Sequence, residues 1–182
     1  TGLQAAGFIQ KGNYLTVQLK EHQNYGPSQI RLQVVNDQII RVQATAEQSF
    51  RNKQSLIIVP QNSKANYKVE EQGDKLIITT AAMRAVLNEA TGQITFYDLK
   101  DNVLLNEVAQ GGKTFKPFTV PDREIGVDIA KVPEAQKHGW SWRALFDSPD
   151  NEAFYGLGQH QSEELNMKGK NEDLFQYNTK VS

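Results

Sequence analysis

One hairpin pattern stands out in the sequence, and it reads Gln29-Ile30-Arg31-Leu32-Gln33-Val34-Val35-Asn36-Asp37-Gln38-Ile39-Ile40-Arg41-Val42-Gln43-Ala44-Thr45. Apolar and polar residues alternate on both sides of Asn36-Asp37, which is the period of a strand with one buried and one solvated face. Asn and Asp are turn formers, so the two runs are predicted to fold back on each other as antiparallel strands. Alternation then places Leu32 and Val42 in the core.

The same alternation recurs along most of the chain, as in Leu15, Val17 and Leu19, with further hairpin turns indicated at Gly73-Asp74 and Gly92. Short helical turns are predicted only at 134–137 and 161–167. Roughly a dozen short strands at this spacing predict an all-β fold with very little helix, an antiparallel sandwich. Additional strands are predicted at about 55–59, 66–71, 75–80, 83–89, 93–97, 103–106, 124–130, 140–147 and 153–156. The predicted core also includes Leu87, Phe96 and Trp142.

Length and charge limit the classes of function. The chain has 182 residues, which suits one domain with a real core, and its 20 basic and 21 acidic residues give a net charge of −1. Because no basic run exists, we expect no binding to nucleic acid or to an anionic membrane. Apolar runs such as Leu56-Ile57-Ile58-Val59 are too short to cross a bilayer, so no membrane-spanning segment is expected.

Two further features bear on the compartment. Cysteine is absent, which excludes disulfides but does not fix a compartment. The start at Thr1-Gly2 carries no signal peptide and looks like a processed or trimmed N-terminus. We expect a periplasmic or secreted protein rather than a cytoplasmic one.

The segment richest in functional information is Glu152-Ala153-Phe154-Tyr155-Gly156-Leu157-Gly158-Gln159-His160-Gln161. Apolar residues run into two glycines one residue apart, and polar side chains follow. Glycine lets the backbone bend sharply or approach a ligand, so the segment is predicted to be a bent strand end that presents polar groups. A dinucleotide-binding loop is disfavoured, because the third glycine and a following helix pattern are missing. The alternative is a plain strand-to-turn corner of some other β-protein.

Two motifs follow at short distances, namely Leu165-Asn166-Met167-Lys168-Gly169 and Leu174-Phe175-Gln176-Tyr177-Asn178-Thr179. With Tyr155-Gly156-Leu157-Gly158 they resemble glycoside hydrolase family 31, the α-glucosidase and α-xylosidase family. That family shows a Tyr-Gly-Leu-Gly signature, then Leu-Asn-x-x-Gly, then an aromatic-polar segment with Asn or Asp before Thr. Gln159 departs from the Glu that many members carry there, and the Gln-rich pattern is most similar to the bacterial α-xylosidase-like branch.

The resemblance implies a place for this chain in a larger enzyme. In the family the signature closes an N-terminal β-sandwich of the galactose-mutarotase-like kind, a supersandwich, just before a (β/α)8 catalytic barrel. Residues 1–182 are therefore expected to form one N-terminal domain, truncated before the barrel of a retaining α-glycosidase. Its expected partners are that barrel in the same chain and, through the parent enzyme, an α-linked oligosaccharide. The fragment alone is expected to be inactive.

The resemblance also implies a substrate-binding segment. In the family a loop after the signature reaches over the barrel mouth and shapes the leaving-group side of the pocket. Its polar-Thr segment matches this chain near the C-terminus, so substrate contacts are expected from Gln176, Tyr177, Asn178, Thr179 and Lys180. Amides and hydroxyls donate to and accept from sugar hydroxyls, and a Tyr ring offers an apolar face. The alternative is a polar linker into the barrel.

No catalytic residue is assigned to this chain. Retaining glycoside hydrolysis needs two carboxyl groups about 5 Å apart, and the family carries its catalytic aspartates on the barrel. The three histidines have no metal-ligand spacing, so neither a metal nor a cofactor is expected. The carboxylate pairs in the sequence are Asp122 and Glu124, Glu163 and Glu164, and Glu172 and Asp173. The histidines are His22, His138 and His160.

Two tryptophans, Trp140 and Trp142, have two interpretations. Alternation puts both indoles on one face with Phe146, a stripe that is more often sandwich core and that we assign to the core. The alternative is an exposed platform on which sugar rings stack. Phe115 and Phe118, in a predicted loop, are weaker candidates for such a platform.

Two classes of function therefore stay open. The first is the N-terminal accessory domain of an α-glycosidase, and the second is a free-standing, non-catalytic β-sandwich that binds carbohydrate. A purely structural module is disfavoured, because the terminal motifs are too organised. The coding sequence past Ser182 separates the first two. A long stretch of alternating strands and helices with an Asp at a strand end supports the first, and a stop codon or a different linker supports the second.

Overall fold

The computed structural model describes residues 7–19, 24–51, 65–110, 112–119, 128–156 and 164–171. The chain divides into two units, Thr1–Asp147 and Ser148–Ser182. All helices and strands of the described residues lie in the first unit, and the described residues of the second form turns and irregular segments.

Strands dominate the first unit. Among the described residues there are eleven, and their bounds are β1 (Phe8–Lys11), β2 (Tyr14–Gln18), β3 (Gln29–Asn36), β4 (Ile39–Thr45), β5 (Lys68–Gln72), β6 (Lys75–Thr79), β7 (Met83–Asn88), β8 (Ile94–Asp98), β9 (Val103–Asn106), β10 (Lys113–Thr119) and β11 (His138–Ala144). One helical turn, α1 (Glu134–Lys137), lies where the sequence predicts it, and a 3₁₀ turn spans Ile129–Lys131. Within the described ranges, no helix is long and apolar enough to cross a membrane.

The strands form three antiparallel sheets. The first has the order β1-β2-β3-β4, the second has the order β5-β6-β7-β8-β9, and β10 pairs with β11 in a separate two-stranded sheet. In both larger sheets each strand pairs with its neighbour in the sequence. The predicted hairpin is confirmed as β3–β4, with Leu32 opposite Val42. At its turn the Asn36 side chain accepts a hydrogen bond from the Gln38 N–H at 2.9 Å, which is why Asn suits that position.

The core lies between the first two sheets. Alternate residues of the central strands point inward, so both sheets contribute fully buried aliphatic side chains. These are Leu15, Val17, Ile30, Leu32 and Val34 from the first sheet and Leu76, Ile78, Leu87 and Ile94 from the second. The predicted all-β antiparallel sandwich is confirmed.

The predicted core residues are confirmed in part. Leu32 and Leu87 are fully buried, and Val42 and Phe96 are partly buried and packed against the core. The assignment of Trp142 to the core, together with Trp140 and Phe146 on the same stripe, is wrong, because their exposed fractions are 61%, 46% and 46%. Alternation predicts which residues share a face, but β11 belongs to the two-stranded sheet rather than to the two sheets that enclose the core.

Other differences occur near turns and prolines. Strand β10 lies where the sequence predicts loops, so Phe115 and Phe118 are strand residues paired across to β11. Strand β1 was not predicted. Residues 153–156 are not a strand, 128–130 end in a 3₁₀ turn instead of a strand, and 164–167 are not helical. The predicted strand 55–59 and the remaining parts of 124–130 and 161–167 lie outside the described residues.

A buried ion pair joins the two-stranded sheet to the sandwich. Lys113, the first residue of β10, donates from its ammonium group to the Glu107 carboxylate and to the Gly92 carbonyl at 3.2 Å. Glu107 also accepts the Ile94 N–H at 3.0 Å. Both side chains are less than a tenth exposed. Burial lowers the pKa of Lys113, and the neighbouring Glu107 carboxylate opposes that shift.

Gly92 is required both by its backbone conformation and by its packing. Its φ is +76°, in the left-handed region, and a Cβ there would lie 2.9 Å from Leu19 Cδ1 and 3.0 Å from Ile30 Cδ1. Gly73 has a similar φ of +61°, but a Cβ there would have no heavy atom within 4 Å. Substitutions at the two glycines therefore distinguish the effect of backbone strain from that of steric crowding in the core.

We expect Gly92→Ala to destabilise the fold more than Gly73→Ala. Each substitution strains a left-handed residue, which costs about 1–2 kcal/mol. Only Gly92→Ala also forces a methyl group into the packed core, which adds about 1–3 kcal/mol. Urea unfolding of both variants measures the difference. Equal losses would show that Leu19 and Ile30 move aside freely and that packing does not constrain the turn.

Candidate functional site

The signature segment lies in the second unit, and two of its four residues are described. Tyr155 is 72% exposed, and Gly156 has a φ of +107°, a conformation that favours glycine over residues with a Cβ. Leu157 and Gly158 lie outside the described residues. The backbone at Gly156 thus has the non-standard conformation that the predicted bend requires.

The two family-like motifs of this unit contact each other through the backbone of Phe154. Asn166 Oδ1 accepts hydrogen bonds from the Phe154 N–H at 3.0 Å and from the Lys168 N–H at 3.1 Å. The Met167 N–H in turn donates to the Phe154 carbonyl at 2.7 Å. Both polar backbone groups of Phe154 are therefore satisfied by residues 166–167.

The second motif has its own internal order. The Lys170 N–H donates to the Met167 carbonyl at 3.1 Å across Gly169, whose φ is +76°. Lys170 also pairs with Glu164 at 2.8 Å, and the Met167 side chain is buried. The Leu-Asn-x-x-Gly pattern therefore has a physical basis, because Asn supplies the acceptor and Gly the turn.

The predicted substrate contacts cannot be placed against this turn. Gln176, Tyr177, Asn178, Thr179 and Lys180 all lie outside the described residues. They stay a prediction.

A cavity of about 1150 Å³ in the first unit lies between β4 and the two-stranded sheet. Its aromatic side comprises Phe115, Phe118, Trp140, Trp142 and Phe146. The polar groups at its edge include Glu47, Arg51, Thr119 and His138. The sequence analysis singles out these aromatic residues, but alternation assigns the tryptophans to the core instead of to an exposed surface.

The charged groups at the edge of the cavity already have partners. Arg51 pairs with Glu47 at 2.7 Å and, together with the Trp140 side chain, holds the pKa of that carboxyl below its usual value. His138 contacts the Glu134 carboxylate at 3.0 Å through Nε2 and the Thr119 hydroxyl at 3.2 Å through Nδ1. These contacts neutralise charge locally, so the cavity is suited to apolar contact rather than to acid–base chemistry.

Catalytic and metal-binding chemistry finds little support in the described residues. Within them no three His, Asp or Glu side chains come together as a metal site. Of the carboxylates considered from the sequence, Glu164 is described and is paired with Lys170. The others, Asp122, Glu124, Glu163, Glu172 and Asp173, lie outside the described residues, as do His22 and His160.

We expect Asn166→Ala to loosen the backbone at Phe154, just before the signature, and Asn166→Asp to preserve it. Both hydrogen bonds are accepted by Oδ1, an atom that Asp retains and Ala lacks. A hydrogen bond contributes about 0.5–1.5 kcal/mol, so amide exchange at Phe154 and Lys168 should rise severalfold in the Ala variant. Hydrogen exchange followed by NMR measures this change. Lys170→Gln, which removes the exposed pair with Glu164, is the control and should leave Phe154 unaffected. Equal protection in the Ala and Asp variants would contradict the role of Oδ1.

Comparisons with known proteins agree with the motifs and the fold. The sequence model of the glycosyl hydrolase 31 N-terminal galactose mutarotase-like domain matches residues 29–182. An uncharacterized family 31 glucosidase of Pseudescherichia vulneris is 24% identical over 162 residues, which is 84% of this chain and 30% of that protein.

Solved structures show the same likeness. A GH31 α-xylosidase from Xanthomonas citri is 34% identical with a TM-score of 0.74, over 93% of this chain and 16% of that one. A GH31 α-xylosidase from a soil metagenome, complexed with xylose, shares the fold at 24% identity and a TM-score of 0.59, over 90% of this chain and 24% of that one. The chain spans less than a third of the length of each of these relatives. Because the family model covers most of the sequence, the predicted family is confirmed, and this chain belongs to glycoside hydrolase family 31 as its N-terminal galactose mutarotase-like domain.

Proposed function

We propose that this chain is the non-catalytic N-terminal domain of a retaining α-glycosidase that acts on α-linked oligosaccharides. The observation that carries the proposal is the match to the Xanthomonas citri α-xylosidase, at 34% identity over 93% of this chain but only 16% of that enzyme. A domain that corresponds so closely to a small part of an enzyme is expected to share its parent's substrate class. The same match favours α-xylosides over α-glucosides as the substrate.

The chemistry of the described residues supports a non-catalytic role. Retaining hydrolysis needs one carboxylate as nucleophile and a second carboxyl group as acid and base, about 5 Å apart. Glu107 is buried but neutralised by Lys113, and Glu47 and Glu134 are paired with cations at the surface. Each of these carboxylates is committed to an ion pair, which leaves it poorly suited to attack an anomeric carbon.

The proposed contribution to catalysis is indirect. The domain packs on a (β/α)8 barrel that follows in the same chain and provides residues 176–180 to the leaving-group side of the pocket. The support for this role is the hydrogen-bonded contact between Phe154 and residues 166–167, which fixes the backbone about ten residues before Gln176. A fixed starting point reduces the conformational entropy that a binding loop loses on substrate contact.

We expect the isolated chain to release no nitrophenol from aryl α-xylosides or α-glucosides above a buffer blank, because the family resemblance implies that both catalytic carboxyl groups lie on the barrel. The longer enzyme should hydrolyse one of these substrates and release the α-anomer first, as seen by proton NMR. Activity of the isolated chain would refute the non-catalytic role. A β-anomer as the first product would refute retention without affecting the family assignment.

Asn178→Ala in the longer enzyme should lower kcat/KM for an α-linked disaccharide more than for an aryl glycoside with a good leaving group. The physical reason is that a leaving-group sugar offers hydroxyls to the Asn178 amide, whereas a nitrophenyl group does not. Kinetics on the two substrates provide an internal control for folding and active-site integrity. A parallel loss on both, or no loss on either, would support the alternative that residues 176–180 are a linker.

The second candidate function is a free-standing, non-catalytic sandwich that binds carbohydrate. The observation that favours it is the exposure of Trp140 and Trp142 beside a large cavity, since indole faces pack well against sugar rings. The coding sequence beyond Ser182 separates the two candidates, because only the first requires several hundred further residues that alternate strands and helices.

A further inference from the structure

The two-stranded sheet presents an aromatic face to solvent. Three side chains on it are about half exposed or more, namely Trp140 at 46%, Trp142 at 61% and Phe146 at 46%. Aromatic side chains bury about 150–250 Å² each when fully covered, so this face presents apolar area on the order of several hundred Å². That is as large as the largest apolar patch of a typical monomer, and such patches mark interaction sites.

The sheet that carries this face also has only two strands among the described residues. Among the described residues β10 and β11 pair only with each other, over Lys113–Thr119 and His138–Ala144. An isolated pair of strands is marginally stable in water and gains stability when a third strand or another layer covers it. At the edge of β10 the Phe115 N–H already donates to the Tyr25 carbonyl at 2.7 Å. The aromatic face, rather than the strand edge, is therefore the surface that calls for a partner.

We propose that the aromatic face of β10–β11, formed by Trp140, Trp142 and Phe146, is covered by the polypeptide that follows residue 182 in the longer enzyme. This inference rests on the function proposed above. The relatives supply the argument for that occupant, because this chain spans only 16% of the Xanthomonas citri α-xylosidase and 30% of the Pseudescherichia vulneris glucosidase. A segment of the same chain can cover this face without a separate association event. It therefore does not lose the translational freedom that a free partner would lose on binding.

A second copy of the chain fits the face less well. Stable complexes bury about 800 Å² on each partner, whereas this face offers several hundred Å². A face that is too small for a lasting dimer is large enough for a covering segment of the same polypeptide.

A carbohydrate also fits the face less well. Sugar sites combine an apolar platform with converging polar groups that are free to bind hydroxyls. Here Glu47 is held by Arg51, and His138 is held between Glu134 and Thr119. The polar edge is thus largely committed to contacts within the chain.

The test compares Trp142→Gln in two contexts, the isolated chain and the longer enzyme. Trp140 and Trp142 are the only tryptophans of the isolated chain, so its fluorescence reports on this face alone. We expect the isolated chain to emit near the wavelength of tryptophan in water and to be quenched readily by acrylamide. Trp142→Gln should leave the urea midpoint of the isolated chain nearly unchanged, as for other surface substitutions, and should lower the melting temperature of the longer enzyme by several degrees.

Leu99→Gln is the matched control, because Leu99 is similarly exposed at 56% but lies in the turn after β8. It should have the same small effect in both contexts. Trp142→Phe keeps the test informative if the Gln variant of the longer enzyme does not fold, since a smaller ring should cause a smaller loss of melting temperature than Gln does. Equal effects of Trp142→Gln in both contexts would overturn the proposal.

Other results would assign the face to a different occupant. A blue-shifted, unquenched emission from the isolated chain would show that the face is already covered. A saturable change of emission with xylose-containing or glucose-containing oligosaccharides, lost in Trp142→Gln, would make it a sugar site. Concentration-dependent sedimentation would make it a dimer contact. A stop codon after Ser182 would remove the proposed function itself, whereas a neutral Trp142→Gln in an active longer enzyme would remove only this inference.

Discussion

The buried ion pair between Glu107 and Lys113 joins the two-stranded sheet to the sandwich, and both residues line the aromatic cavity. Burial of two charges is costly, and here the cost is offset by mutual attraction and by hydrogen bonds with the Ile94 N–H and the Gly92 carbonyl. Loss of one partner would leave the other charge buried and unpaired, which generally costs about 3–5 kcal/mol. Gly92 therefore has two structural roles, because its carbonyl receives Lys113 and its missing Cβ leaves room for the core.

The strands of the sandwich could be predicted from the sequence where one face of a strand is buried and the other is solvated. In β3 the alternate residues Ile30, Leu32 and Val34 are buried, and in β7 so are Ala85 and Leu87. Alternation therefore identifies Leu32 and Leu87 without further information. The same rule failed at β10, because Pro117 and the flanking glycines indicate a loop when the pairing with β11 is unknown. It also failed at Trp142, since periodicity shows which residues share a face and not which layer covers that face.

The candidate site was predictable as a set of motifs but not as a set of contacts. The signature and the Leu-Asn-x-x-Gly motif are recognised from their spacing. The Asn166 side chain, by contrast, accepts one of its hydrogen bonds from a backbone N–H twelve positions away. A side chain that hydrogen-bonds to backbone groups needs no particular residue type as its partner, so the sequence does not show the contact. The resemblance therefore located Asn166 without revealing its partner. Residues 176–180 lie outside the described part of the chain, so their role rests on the resemblance.

The order of strands has a consequence for synthesis on the ribosome. Both large sheets are meanders in which each strand pairs with its sequence neighbour, and folds rich in local contacts form quickly. Translation proceeds at about 5–20 residues per second and N-terminal domains fold first, so the sandwich can assemble while later segments are still being made. On the proposal above, the aromatic face of β10–β11 stays exposed until the polypeptide after residue 182 is made. That interval is when a nascent chain of this kind is most exposed to aggregation and has most need of a chaperone.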